Sequence, residues 1–125
     1  MSTSSHILVV DDNQAAADAL VRLLRALGEE AQAVYGPQEA LEHVKDAPVA
    51  LAFIDIGMPD MDGYELIHTL RDTGFTSPAF ALSGYGRDDD RDQAREAGFT
   101  GHLTKPTGAK EIQEVLETHK DTRVA

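Results

Sequence analysis

The stretch VALAFIDIGMPDMDG, residues 49–63, decides the fold of this sequence. It begins with an apolar run, 49–54, and then reaches the carboxylate of Asp55. Turn residues follow, and Gly63 marks the expected start of a helix. An apolar run of this length that ends in turn residues is typical of a strand buried on both faces. We therefore expect Asp55 at the carboxyl end of a buried strand, as the reacting group of a site.

Length and composition predict a single domain of 125 residues, 1–125, without disulfides. The absence of cysteine excludes thiolate chemistry and is compatible with a reducing cytosol. The net charge of −11 makes direct nucleic-acid binding unfavourable, so control of transcription would need another domain or partner. Apolar runs are shorter than the roughly 20 residues of a membrane span. Residues 1–12 do not look like a signal peptide, so we expect a cytoplasmic protein with no membrane contact.

Apolar, helical and turn patterns alternate five times along the chain. The expected strands are 6–10, 31–35, 49–54, 78–82 and 102–104, and the expected helices are 14–27, 37–45, 63–71, 87–97 and 107–119. Such alternation predicts an α/β fold, with a parallel sheet between two helical layers and right-handed crossovers. The ends, 1–5 and 121–125, are expected to be flexible.

Side chains that could carry chemistry follow four of the five expected strands: Asp11 and Asp12, then Asp55, Ser83 and Lys105. Open α/β sheets bind ligands at this carboxyl edge. A strand order of 2-1-3-4-5 would make the first and third strands neighbours and collect the three carboxylates in one pocket.

Three adjacent carboxylates repel one another, so either some are protonated or a cation lies among them. An all-oxygen ligand set favours Mg²⁺. A lysine ammonium, a serine hydroxyl and backbone N–H groups beside one carboxylate match what phosphoryl transfer needs. From the residues alone, Asp11 and Asp12 could equally cap a helix.

Four motifs together resemble the CheY-like receiver domain of response regulators in two-component signal transduction. They are ILVVDDN at 7–13, FIDIGMPDMDG at 53–63, ALSGYG at 81–86 and HLTKP at 102–106. They occur in the family's order and spacing and span nearly the whole chain. The resemblance implies a flavodoxin-like, doubly wound, five-stranded sheet with five helices.

The resemblance also implies a role for each site residue. Asp55 corresponds to the phosphoacceptor that becomes an aspartyl phosphate. Asp12 corresponds to a direct Mg²⁺ ligand, Asp11 to a ligand that acts through water, and the backbone carbonyl of Gly57 to the third protein ligand.

On the other side of the implied site, Ser83 corresponds to the switch hydroxyl and Lys105 to the lysine that pairs with the phosphate. The bond from Lys105 to Pro106 corresponds to a cis peptide, and we expect Tyr85 to shield the phosphoryl group from water. His102 is a departure, because the family usually has Tyr or Phe there. We expect His102 to toggle with Ser83, but with a weaker preference for the buried state.

The implied partners are a sensor histidine kinase or histidine phosphotransfer protein, which donates the phosphoryl group, and a downstream protein target. The expected output surface is the fourth helix, fifth strand and fifth helix. The domain would assist only its own phosphorylation and dephosphorylation, so it is not expected to be an enzyme for a free metabolite. A phosphorylation-dependent dimer stays open, as does the choice between a stand-alone regulator and the receiver of a hybrid kinase.

Two alternative functions belong to other classes. One is a Mg²⁺-dependent phosphohydrolase with an aspartyl-phosphate intermediate, although Gly57 stands where such an enzyme would need a second acid. The other is an interaction module that does not need phosphorylation. Two parts of the sequence are also explained by exposure to solvent, without a functional role. Asp60 and Asp62 are expected in a solvated loop, and 87–96 could be a solvated helix face.

Overall fold

The computed structural model describes residues 6–58, 61–84, 88–105 and 107–119. Strands and helices alternate strictly along these residues. The strands are β1 (His6–Val10), β2 (Ala31–Val34), β3 (Val49–Asp55), β4 (Ala79–Ser83) and β5 (Gly101–Thr104). The helices are α1 (Gln14–Ala26), α2 (Pro37–Asp46), α3 (Gly63–Asp72), α4 (Asp88–Ala97) and α5 (Ala109–Thr118).

The five strands form one parallel sheet in the order β2-β1-β3-β4-β5. Val9 pairs with Phe53, and Phe53 pairs with Phe80, so the middle of the sheet is apolar. The predicted fold class and strand order are therefore confirmed. The chain adds β2 on one side of β1 and β3 on the other, so the strand order reverses there and β1 and β3 are neighbours.

Two apolar cores cover the two faces of the sheet, because alternate strand residues point to opposite sides. Ile7, Val9 and Phe53 pack in the core under α1 and α5. Leu8 and Ile54 pack in the core under α2, α3 and α4. With both faces covered, the central strands are almost fully buried, as the continuous apolar runs predicted.

Polar side chains fix the starts of two helices next to the carboxyl edge. Asn13 caps α1 as predicted, since its side chain accepts a hydrogen bond from Ala16 N at 3.1 Å. Asp62 lies in the partly exposed loop before α3. It also has a role that was not predicted, since it caps α3 by accepting a hydrogen bond from Glu65 N at 2.9 Å. The signal was present in the sequence, because an acceptor followed three residues later by Glu is a capping pattern.

Several predicted boundaries differ from the structure by one or two residues. β4 continues through Ser83, because Ser83 still pairs with Thr104 on β5. α5 begins after Gly108 rather than at Thr107. The expectations for 1–5, 121–125, Asp60, Tyr85 and Pro106 lie outside the described residues.

Gly63 starts α3 directly against the end of β3. A Cβ atom at this position would lie 2.7 Å from Ile56 Cα and 2.8 Å from the carbonyl oxygen of Asp55. Gly63 N also donates a hydrogen bond to Ile56 O at 3.2 Å. Because the obstructing atoms belong mostly to the backbone, only glycine allows the helix to approach the Asp55 strand this closely.

We predict that Gly63→Ala lowers the free energy of unfolding by about 1–3 kcal/mol, the usual cost of overpacking. The loss should outweigh the better helix propensity of alanine. Urea unfolding measures the effect. Gly84→Ala is the control, because a Cβ there meets nothing within 4 Å. Equal stability of the two variants would contradict the close approach.

His6 and His43 form a partly buried contact at the amino-terminal end of the sheet. Their Nε2 atoms lie 2.6 Å apart, and the rings meet edge to face. Such a hydrogen bond needs one nitrogen that carries a hydrogen and one that does not. Burial and the neighbouring His43 lower the pKa of His6 from 6.5, while the charge of Glu30 acts in the opposite direction.

This lowered pKa predicts a pH dependence of stability. Below pH 6.5 the unfolded chain takes up a proton that folded His6 resists. Stability should therefore fall as the pH drops through that value, until His6 itself is protonated. Urea unfolding between about pH 7.5 and about pH 5.5 should show a smaller loss for His6→Phe than for the native chain. Equal losses of stability for His6→Phe and the native chain would contradict this role of His6.

Candidate functional site

Lys105 joins two carboxylates at the carboxyl edge of the sheet. Its Nζ lies 2.9 Å from Asp11 Oδ2 and 3.2 Å from Asp55 Oδ1. Asp11 directly follows β1, and Asp55 is the last residue of the adjacent strand β3. The two residues are only 2% and 7% exposed. The structure thus brings together three residues that are far apart in sequence, as the predicted strand order required.

Asp12 completes a group of three carboxylates. One oxygen each from Asp11, Asp12 and Asp55 lies within 4.8 Å of the others, and Asp12 is exposed to solvent. Asn13 N donates to Asp11 Oδ1 at 3.0 Å and holds that carboxylate in place. An open, all-oxygen cluster with one solvent-facing member fits a hard divalent cation that keeps some of its water.

Asp55 is in an unfavourable electrostatic environment. Its burial and the nearby charge of Asp11 raise the pKa of Asp55 above its ordinary value of 3.8. The N–H of Gly57, 3.3 Å from Oδ1, and the ammonium of Lys105 act in the opposite direction without cancelling the effect. A further positive charge in the pocket would therefore stabilise ionised Asp55.

Lys105 stays positively charged at neutral pH. Burial alone would lower the pKa of Lys105, but the hydrogen bond to Asp11 and the negative charges of Asp55 and Asp11 outweigh it and raise the pKa. The strand end also fixes its backbone, because Lys105 N donates to Ser83 O at 2.7 Å. The ammonium is thus held beside the carboxylate that was predicted to react.

Ser83 is buried at the end of β4, and its Oγ lies 2.7 Å from His102 Nε2 on β5. The sequence predicted that these two side chains act together. It did not predict a direct hydrogen bond, since the family's Tyr or Phe would place an aromatic ring there. The bond depends on the imidazole nitrogen and on the lateral pairing of β4 with β5.

A cavity of about 470 Å³, which no sequence pattern predicted, adjoins the carboxylates. Leu20 and Leu23 of α1 and Leu82 of β4 form part of its wall, and Asp11 and Lys105 line it as well. In the sequence, Leu20 and Leu23 look like ordinary core positions of an amphipathic helix. Only the tertiary structure shows that an apolar recess borders the charged pocket.

The parallel sheet order, the carboxylate group and the apposed lysine together form a receiver-type α/β domain. Residues 7–117 match the family model of the response regulator receiver domain. The chain therefore belongs to the response regulator receiver domain family of two-component systems, and it acts in phosphorylation-dependent signalling. Neither alternative function is favoured by this assignment.

Relatives with this domain occur in proteins of different lengths. The chain is 36% identical over 115 residues to an uncharacterized 14.6 kDa protein of Leptolyngbya boryana, covering 90% of the chain and 88% of that protein. It is 30% identical to the regulatory protein VanRc of Enterococcus gallinarum and 32% identical to the osmosensing histidine protein kinase SLN1 of Saccharomyces cerevisiae. These matches cover 92% and 91% of the chain, but only 49% and 10% of those proteins.

Solved structures agree with the fold. A CheY-like receiver domain protein from Methanospirillum hungatei superposes with a TM-score of 0.86 at 25% identity, covering 97% of both chains. The receiver domain of NtrX from Brucella abortus gives a TM-score of 0.84 at 27% identity, covering 93% of this chain and 98% of that one. Among the described residues, no helix is long and apolar enough to cross a membrane.

The raised pKa of Asp55 predicts that Asp55→Asn stabilises the domain in metal-free buffer at neutral pH. Removing the charge ends the repulsion from Asp11, while Lys105 keeps its bond to Asp11. We expect the melting temperature to rise by a few degrees. Asp92→Asn, which neutralises an exposed carboxylate on α4, is the charge-matched control. A lower melting temperature for Asp55→Asn alone would contradict the electrostatic description.

Proposed function

We propose that Asp55 is the phosphoacceptor of this domain. The observation that carries the proposal is the position of its carboxylate, which is buried at the end of β3 and 3.2 Å from the ammonium of Lys105. Asp11 and Asp12 provide oxygens beside it. A rigidly held nucleophile next to positive charge is what in-line phosphoryl transfer requires.

In the proposed reaction, a carboxylate oxygen of Asp55 attacks the phosphorus of a phosphohistidine. The new P–O bond forms as the P–N bond breaks, and the leaving imidazole takes the bonding electrons. Lys105 stays protonated and pairs with a phosphoryl oxygen in addition to Asp11. Ser83 contributes its hydroxyl as a switch group after transfer.

Mg²⁺ is the cation that fits the pocket best. Its proposed ligands are the carboxylates of Asp12 and Asp55, the carbonyl of Gly57, and Asp11 through water. Carboxylate and carbonyl oxygens with room for water are the ligand set that Mg²⁺ prefers. When bound, the ion neutralises charge on the transferred phosphoryl group.

The proposed partners follow from the relatives, which include regulators and histidine kinases. The donor is a sensor histidine kinase or a histidine phosphotransfer protein, and the recipient of the signal is another protein. We propose that residues 1–125 act as one receiver unit in the cytoplasm. The domain assists only its own phosphorylation and dephosphorylation, without direct binding to nucleic acid or membrane.

The proposed output surface consists of α4, β5 and α5. His102 connects this surface to the switch hydroxyl of Ser83 by a hydrogen bond of 2.7 Å. α4 contributes only the small Ala94 to the fully buried core described by the structure. A helix held by so few large side chains can be displaced at lower cost than α1 or α3.

Intact-mass measurement with acetyl phosphate and Mg²⁺ tests the proposal. The native chain should gain one acid-labile phosphoryl group, and chelation of the metal should prevent the gain. Asp55→Asn should abolish it, while Asp92→Asn should leave it unchanged. Lys105→Ala should slow the reaction by about a hundredfold, the scale for removing one preorganised charge-stabilising group. Full phosphorylation of Asp55→Asn would show that the acceptor lies elsewhere.

A further inference from the structure

The hydrogen bond between Ser83 and His102 lies on a defined side of the sheet. Ser83 is two residues after Ala81, which packs in the core under α2, α3 and α4. His102 pairs with Ala81 in the β4–β5 register. Side chains two residues apart on a strand share a face. Ser83 and His102 therefore meet on the α2–α4 side of the sheet.

By the same rule, Asp55 lies on the opposite face of the sheet. It lies two residues after Phe53, which packs in the core under α1 and α5, and Lys105 lies two residues after Leu103, which packs against that same core. The alternation thus directs the acceptor and its lysine to one side of the sheet edge. The serine hydroxyl is bonded to a partner on the other side.

The tautomer of His102 decides which of the two groups donates in this hydrogen bond. In either case the 2.7 Å contact with His102 Nε2 holds the oxygen of Ser83 toward β5. A bond from Ser83 to a phosphoryl group on Asp55 requires the hydroxyl to turn away from His102. Formation of one contact is therefore linked to loss of the other.

We propose that His102 is a positioning residue that restrains the switch, because its imidazole competes with the phosphoryl group for the hydroxyl of Ser83. This inference rests on the proposed function, in which Asp55 is phosphorylated and Ser83 responds. The restraint favours the unphosphorylated arrangement of β4 and β5. Phe at position 102 could fill the space of the imidazole, but it could not hold the hydroxyl.

Beryllofluoride with Mg²⁺ serves as the probe, since it mimics a phosphoryl group on an aspartate. His102→Phe should bind it about three- to tenfold more tightly than the native chain, which is the range for losing one competing neutral hydrogen bond. His102→Gln should stay close to the native affinity, because the end of its side chain offers hydrogen-bonding atoms near the position of Nε2. Calorimetric titration measures all three affinities.

The Ser83→Ala background separates competition from a merely structural role. In that background the hydroxyl is gone, so His102→Phe should no longer tighten binding. If the increase persists there, or if His102→Phe binds equally or more weakly in the native background, the restraint is refuted. His102→Leu provides a second variant without hydrogen bonding, and thermal unfolding checks that every variant is folded.

The same titration distinguishes this inference from the proposed function. If the native chain binds the probe through Asp55 but His102→Phe does not tighten binding, only the role of His102 is refuted. If the native chain does not bind the probe at all, the acceptor role of Asp55 fails, and the restraint fails with it.

Discussion

The ion pairs of Lys105 with Asp11 and Asp55 are the contacts on which the site depends. One ammonium lies 2.9 Å and 3.2 Å from two buried carboxylates, and a third carboxylate is close by. A single positive charge does not balance three negative charges. Burial and the charge of Asp11 therefore raise the pKa of Asp55 by more than Lys105 lowers it. Charge imbalance of this kind costs stability in a domain without bound cation. It also prepares the pocket for a divalent cation and for the neutralisation of a phosphoryl group.

The fold maintains this charge imbalance because the strands that carry Asp11 and Asp55 are packed rigidly. Val9 and Phe53 are completely buried in the centre of the sheet. Gly63 lets α3 approach the end of β3 at a distance that no other residue permits. Close packing of this kind resists the relaxation by which repelling carboxylates would otherwise move apart.

The switch side is built differently. Ser83 is hydrogen-bonded to a half-buried imidazole on the edge strand β5, and among its described residues α4 contributes Ala94 to the fully buried core. A hydrogen bond contributes only about 1 kcal/mol net to stability, so one competing hydrogen bond can replace it. The domain thus combines a fixed acceptor with an adjustable reporter. His102 gives the adjustable part a polar contact where the family usually has an aromatic ring.

The sequence by itself determined the alternation of strands and helices, the sheet order that its motifs imply, and the identity of the charged residues at the strand ends. Apolar runs and turn residues are local signals, and the ends of parallel strands necessarily meet at one edge. It did not determine the cap at Asp62 (although its signal was present), the cavity beside Lys105, or the bond from Ser83 to His102. The last two depend on how helices and strands distant in sequence pack side by side. The upward shift of the Asp55 pKa likewise could not be predicted without the tertiary structure, because burial and the distance to Asp11 are properties of packing.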